Sequence, residues 1–283
     1  LGWELFGGGG IMSISLAYAL LFAVAGYIFW FRKKMTIAGG LFFTMAVSMT
    51  PLVVYGFERL LGVWPMDNPG AYRDFHVWIN GSWIMMELAT IGVGLIVLAF
   101  VRFPFLTMPV AFAFWYLSMD LTPLFFGRNE FIWDERLIVS AAVGATIIVV
   151  SYIVDRLIRD DFAFWGYLFG LFALWGGLSL MNSDSQLNKF LYCMLNIFFM
   201  LLSIWLGRRV FMVFGGIGVF GYLGYLSWHV FEDSLIFPFA LSLLGILLIV
   251  FAILYQKNEK RIIAIFNALI PSALQRLRPP VRD

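Results

Sequence analysis

The chain has 283 residues, of which 62% are apolar and 13% are charged, and its formal net charge is +2. The charged fraction is about half that of an average soluble domain, and a soluble fold of this size could not bury so much apolar surface. A soluble globular protein is therefore excluded, and without a basic run no nucleic-acid partner is expected. We predict an all-α, polytopic transmembrane helical bundle, because apolar runs of roughly 20 residues span a bilayer as helices.

The first ten residues, LGWELFGGGG, precede the first long apolar run. They lack the basic start and the small-residue cleavage site of a signal peptide, and Leu1 is not an initiator methionine. We expect residues 1–10 to be an extracytoplasmic stub that continues a longer chain.

Nine candidate spans follow within a transmembrane domain at residues 11–256, and their short connections predict antiparallel neighbours. The longest connection, from Leu60 to His76, contains Pro65, Pro69 and Gly70 and predicts an ordered loop or a short interfacial helix. The spans are expected at 11–31, 36–58, 77–101, 104–126, 137–155, 162–182, 187–207, 210–231 and 235–255.

The basic residues indicate an orientation. Most of the 19 Lys and Arg residues fall on one side of the predicted spans, whereas acidic residues concentrate on the other side. Because Lys and Arg are retained in the cytoplasm, the N-terminus is expected outside and the C-terminus in the cytoplasm. The cytoplasmic side then carries a basic ring that could hold lipid headgroups or a phosphate, although topology alone also explains it. The ring consists of Arg32, Lys33, Lys34, Arg102, Arg208 and Arg209.

Two helix pairs share a pattern of basic turn, Gly-Gly, aromatic helix and acidic outer end. Their sequences are FRKKMTIAGGLFFTMAVSMTPLVVYGFERLL and GRRVFMVFGGIGVFGYLGYLSWHVFEDSL. Two interpretations stay open. The pairs are two-helix hairpin repeats, as in many transporters, or the pattern arises in any helical hairpin from the positive-inside rule and interfacial aromatic residues.

Glycines recur at close-packing spacings in two of the later spans. Small residues let membrane helices approach until their backbones touch, so these positions predict helix-packing faces. They are Gly166, Gly170, Gly176 and Gly177 in one span, and Gly215, Gly216, Gly218, Gly221 and Gly224 in another.

Residues 257–283 form a basic tail in which KRIIAIFNALIPSALQRLRPP alternates apolar and cationic residues around Pro271. This pattern is typical of an amphipathic helix on the cytoplasmic lipid surface, and a tail that binds a partner protein is the alternative. Membrane lipids are thus expected partners.

Two acids lie within predicted spans: Glu87 in WIMMELATIGVG and Asp120 in YLSMDLTPLFFG. A tight turn joins their helices, and a vertical offset of about one helical turn predicts that they come close. Pro123 removes a backbone N–H just beyond Asp120, which frees a carbonyl. Two intramembrane acids beside a broken helix predict a site for a proton, an ion or a small solute.

The alternative role for these acids is structural. Glu87 would donate a proton to a backbone carbonyl, and Asp120 would cap its helix or pair with Arg128 or Arg59.

Both histidines, His76 and His229, are expected near the outer surface with acids close by, among them Glu232 and Asp233. Together they could bind a divalent metal or sense external pH, but an interfacial histidine usually only reaches water. We therefore predict outer-face polar groups and no metal site. The single cysteine, Cys193, allows neither a disulfide within the chain nor a zinc motif.

The stretch LGRRVFMVFGGIGVFGYLGYLSWHVFEDSLIFPFALSLLGI, preceded by FWGYLFGLFALWGGLSL, resembles bacterial multi-pass membrane proteins grouped only by a domain of unknown function. The resemblance covers mainly residues 161–246. It implies a bacterial inner (plasma) membrane location and no particular reaction.

Motifs of enzymes are missing from the sequence, which contains no GxSxG, no HExxH and no phosphate-binding Gly-rich loop. The leading hypothesis is a non-enzymatic transporter or channel without a cofactor that moves protons, ions or a small solute. The alternative is a scaffold or an accessory subunit that associates with other membrane proteins through its helix faces and its tail.

Overall fold

The structure, a computed structural model, describes residues 2–64, 82–120, 133–181 and 185–231, together with scattered positions between 239 and 280. The described residues form helices and no strand, which confirms the all-α prediction for this part of the chain. The chain divides into two compact units, Leu1–Gly177 and Leu178–Asp283.

The first unit begins with α1, which is helical from Gly2 and therefore includes most of the predicted stub. Gly7 adopts a left-handed conformation with φ of 57°, which kinks α1 near its start. Helix α1 ends in a π-helical turn, Ile28–Arg32. The helices of the first unit are α1 (Gly2–Tyr27), α2 (Thr36–Ser48), α3 (Thr50–Leu61), α4 (Ser82–Phe100), α5 (Thr107–Asp120) and α6 (Trp133–Leu157). Helix α7 (Phe164–Leu180) begins in the first unit. The second unit contains α8 (Gln186–Leu206) and α9 (Arg209–Phe231).

Six helical segments of the described chain are long and apolar enough to cross a membrane. Large apolar side chains such as Leu21, Ile96 and Val149 are exposed along them, as contact with lipid requires. By length and composition the protein is therefore a multi-pass membrane protein. The segments are Phe6–Arg32, Thr36–Leu61, Trp83–Phe100, Trp133–Leu157, Gln186–Leu206 and Arg209–His229, and Phe164–Leu180 is a shorter apolar helix.

The number of nine spans stays a prediction. The predicted fourth span coincides with α5 as far as Asp120, and its remainder lies outside the described residues. Most of the predicted ninth span, 235–255, and most of the tail also lie outside them.

The second predicted span is broken in its middle. Helix α2 ends at Ser48 and α3 begins at Thr50, with Pro51 in the first turn of α3. Because proline has no N–H, the carbonyl of Val47 lacks its usual helical donor. The regular backbone pattern resumes where the N–H of Val53 donates to the carbonyl of Met49 at 3.1 Å.

Three helix connections lie on the same side of the first unit. The ring of Trp30, at the end of the first span, lies 6.3 Å from that of Phe103, in the turn after α4. The ring of Phe105 in that turn lies 5.2 Å from that of Trp165, just after the turn that follows α6. The basic residues of these turns therefore share one face, as the charge pattern predicts for this unit.

The glycines predicted to pack helices fall into two groups. A Cβ on Gly170 or Gly177 would press against α6, and one on Gly215 or Gly218 would collide with Asn196 or Met200 of α8. Helices α6 and α7, and likewise α8 and α9, therefore approach closely through these positions. By contrast, a Cβ would meet no heavy atom of the described chain within 4 Å at Gly176, Gly216, Gly221 and Gly224.

Candidate functional site

The packing of α4 against α5 brings the two predicted acids together. Ile91 of α4 packs against Val110, Ala113 and Leu117 of α5 in one buried cluster. Beside this cluster, Glu87 is 6% exposed and Asp120, the last described residue of α5, is 3% exposed. Their carboxyl groups lie close enough to interact directly. The short connection between the helices accounts for this proximity, as the sequence predicts.

The pair has no hydrogen-bond donor from the described part of the protein. Both oxygens of Glu87 and both oxygens of Asp120 are buried and lack a partner there. Two ionised carboxylates are acceptors only, so a hydrogen bond between them requires a proton on one of them. An unpaired buried carboxylate is costly, particularly in hydrocarbon, and the site therefore needs a proton or a cation.

Hydroxyl groups near Glu87 do not supply the missing donor. The Oγ1 of Thr90 donates to the carbonyl of Met86 at 2.6 Å. Likewise, the Oγ of Ser48 donates to the carbonyl of Thr44 at 2.9 Å. Both hydroxyl protons are thus committed to the backbone of their own helices.

Arg136 and Tyr116 complete the surroundings of Asp120. Arg136 lies near the start of α6 and is buried, and both it and Tyr116 of α5 interact electrostatically with Asp120. Sequence reasoning missed this arginine and instead considered Arg128, which lies outside the described residues, and Arg59. The Nη1 of Arg59 contacts the hydroxyl of Tyr55 at 3.5 Å.

A cleft of about 920 Å³ reaches Glu87 of the acid pair. It runs along α4 between α3 and α5, and Glu87 belongs to its wall, whereas Asp120 does not. Most of the wall is aromatic or aliphatic. The cleft therefore offers an apolar surface next to one carboxyl group, an arrangement found in many small-molecule sites.

Two further buried acids were missed by sequence reasoning. Glu58 of α3 is buried, and its Oε2 has no partner among the described residues. Asp155 of α6 is completely buried and accepts a hydrogen bond from the hydroxyl of Tyr167 at 3.3 Å. Both lie at ends of predicted spans, where an acid ordinarily reaches water, so their positions gave no signal of burial.

The predicted outer-face residues are only partly described. His229 is exposed on α9, and its ring stacks on Tyr225 with centroids 5.6 Å apart. The Tyr225 hydroxyl accepts a hydrogen bond from Lys189 Nζ at 2.8 Å. His76, Glu232 and Asp233, as well as Pro123 beside Asp120, lie outside the described residues. Within the described ranges, no three His, Cys, Asp or Glu side chains are placed to hold a metal ion.

The basic residues predicted to contact lipid headgroups are largely exposed. Arg32, Lys33, Lys34 and Arg102 are exposed on the shared face of the first unit, where Lys33 Nζ lies 5.1 Å from the centroid of the Phe29 ring. In the second unit, Arg208 and Arg209 lie at the start of α9, and Arg209 is exposed. Such positions are compatible with contact to anionic headgroups.

Comparison with known protein families, with curated proteins and with solved structures finds no match to the chain. The resemblance of residues 161–246 therefore stays a prediction, and the function is argued from the geometry of the site.

Proposed function

We propose that the protein is a non-enzymatic transporter or channel that moves protons, ions or a small solute, with Glu87 and Asp120 as its binding groups. The observation that supports this proposal is that the four buried carboxyl oxygens of the pair have no donor among the described residues, and that Glu87 belongs to the wall of a cleft. Ionisable groups inside membrane proteins usually face a partner or a transport path. A proton or a cation passing through would supply the charge that the pair lacks.

Charge counting supports the same conclusion. Among the described residues, the acidic and basic groups that interact at the pair are two carboxyls, Glu87 and Asp120, and one guanidinium, Arg136. With both acids ionised, this group is one positive charge short. Binding one proton or one monovalent cation would neutralise it, and releasing that charge would restore the deficit. A transporter requires a site that alternates between a neutral, occupied state and a negatively charged, empty state, whereas a helix-packing contact requires only one state.

The proposal includes the predicted topology: nine spans, an outer N-terminus and a cytoplasmic C-terminus in a bacterial inner membrane. The shared basic face at Lys33 and Arg102 supports this orientation, because basic residues are retained on the cytoplasmic side. The tail would then lie on the cytoplasmic leaflet. His76 and His229 would lie near the outer entrance.

Flux measurements in proteoliposomes test the proposal. We expect the unaltered chain to move protons, or one member of a panel of inorganic ions and small organic solutes, faster than empty liposomes. Glu87→Gln and Asp120→Asn should each reduce this flux to the background of empty liposomes, since neither amide can take up and release a proton at neutral pH.

Glu58→Gln is the matched control, because Glu58 is a buried acid of the same unit that does not line the cleft. Its flux should equal that of the unaltered chain. Equal flux in the unaltered chain, Glu87→Gln and Asp120→Asn would contradict the proposal, and so would flux no faster than in empty liposomes across the whole panel.

A scaffold or accessory subunit is the second candidate, and α9 supplies the observation in its favour. Gly216, Gly221 and Gly224 leave open space among the described residues, as an unoccupied helix-packing face would. If this face binds another subunit, the protein in mild detergent should co-purify in a defined complex that Gly221→Leu dissociates. A monomer without any co-purifying protein would contradict the subunit role.

A further inference from the structure

The cleft beside α4 combines aromatic faces with a single acid. Within the described wall, Glu87 is the only acidic or basic side chain, and the two hydroxyls of Ser48 and Thr90 already donate to their own helices. The remaining wall positions are methionine, leucine, proline and alanine. Five aromatic side chains contribute to the wall: Tyr55, Trp64, Trp83, Phe112 and Tyr116.

This composition selects against most classes of ligand. An anion would meet Glu87, and the described part of the wall has no basic side chain to neutralise it. A strongly hydrated inorganic ion would lose its water against apolar side chains. A cation on an apolar body meets neither obstacle, because aromatic faces attract cations and bury apolar groups.

We propose that the cleft binds a lipophilic organic cation, a protonated amine with an apolar body, and that the ammonium group donates a hydrogen bond to Glu87. This inference rests on the proposed function, because it names the class of solute that the transporter carries. The ammonium supplies the donor that both oxygens of Glu87 lack and the charge that balances Arg136 against two acids.

Binding requires the Glu87 carboxyl group to rotate about its side-chain torsions, because its oxygens are covered from the cleft in this structure. A hydrogen bond between Glu87 and Asp120 requires a proton on one of them, and the bound ammonium group replaces that proton as the donor to Glu87. The cleft volume of about 920 Å³ is within the range of sites that enclose drug-sized molecules.

Two ligands that differ in one group test the inference: naphthylmethylamine, which is a cation at neutral pH, and naphthylmethanol, which is neutral and of the same shape. Binding to the full chain in lipid nanodiscs is measured by calorimetry, with empty nanodiscs as the blank for partitioning into lipid. We expect the amine to bind about tenfold more tightly than the alcohol, a difference of about 1.4 kcal/mol. Glu87→Gln should make the two affinities equal, and Glu58→Gln should preserve the preference.

A second variant tests the location. Ala113 lines the cleft and is buried, so Ala113→Phe should fill part of the cleft and weaken the binding of both ligands. Equal affinity of the two ligands for the unaltered chain, an amine preference that persists in Glu87→Gln, or undiminished affinity of both ligands for Ala113→Phe would overturn the inference.

Different results would contradict the transport proposal and the ligand-class proposal. An amine preference that depends on Glu87, with no flux of any solute in proteoliposomes, would contradict transport and leave the ligand class standing. Flux of protons or inorganic ions that depends on Glu87, with no amine preference, would contradict the ligand class and leave transport standing.

Discussion

Two of the sites in the described first unit that bury carboxyl groups differ in whether a hydrogen-bond donor is present. Between α6 and α7, Asp155 accepts a hydrogen bond from the hydroxyl of Tyr167, and both residues are completely buried. Between α4 and α5, Glu87 and Asp120 face each other with no donor from the described residues. A buried acid that stabilises packing has its donor nearby, whereas an acid that binds a mobile charge must be left without one. The same residue type therefore has two roles, distinguished by its hydrogen-bond partners.

The largest effect is expected when the cation beside the acid pair is removed. Arg136→Met removes the opposite charge that interacts with Asp120, and a buried charge left without compensation costs on the order of 3–5 kcal/mol. We expect the free energy of unfolding, measured in detergent micelles, to fall by about that amount. Arg136→Met combined with Asp120→Leu should recover part of it, because the carboxylate that loses its opposite charge is then absent as well. A single variant as stable as the unaltered chain would show that the arginine does not balance this site.

A smaller loss of stability is expected when Asp155 loses the hydrogen bond from Tyr167. Tyr167→Phe removes the donor to Asp155 and should lower the free energy of unfolding by about 1–2 kcal/mol. Asp155→Leu together with Tyr167→Phe should cost less stability than the sum of the two single variants, since neither partner of this hydrogen bond is then left unpaired. Flux in proteoliposomes should not change in either protein. A loss of flux in Tyr167→Phe at unchanged stability would remove the distinction between the two sites.

Replacing Glu87 of the acid pair should raise the free energy of unfolding, in contrast to the two variants above. In Glu87→Gln the side-chain amide can donate to Asp120, and a hydrogen bond to a charged group contributes about 1.5–3 kcal/mol before the cost of burying the amide. We expect a net gain in the free energy of unfolding of about 1 kcal/mol together with the loss of flux. If this variant is instead less stable than Tyr167→Phe, Glu87 stabilises the packing of α4 and the comparison fails.

Replacing Glu58, a buried acid away from the cleft, should change the free energy of unfolding least. Its Oε2 is buried without a partner among the described residues, and Glu58 does not line the cleft. Glu58→Gln should change the free energy of unfolding by no more than about 0.5 kcal/mol. A larger change, measured by the same unfolding assay, would place Glu58 among the residues that matter for the fold of α3.

Much of the fold and part of the site could be predicted from the sequence. Apolar runs predict the helices, and the short turn after α4 places Glu87 beside Asp120. Arg136 could not be assigned to this site, because its position depends on how α6 packs against α5 after a longer connection. Asp155 ends a predicted span, where an acid ordinarily reaches water, and the structure instead buries it completely, with the Tyr167 hydroxyl donating to it. Glycine spacing likewise predicts packing on α9 without distinguishing Gly218, which meets α8, from Gly216, which does not.

The break between α2 and α3 has a mechanical consequence for the cleft. Ser48 and Pro51, on either side of the break, both belong to the cleft wall. Because Pro51 leaves the Val47 carbonyl without its usual donor, a change of angle at this point costs less hydrogen bonding than it would in a continuous helix. The span can thus bend beside the cleft at a low cost in hydrogen bonding while each half keeps its own helical backbone.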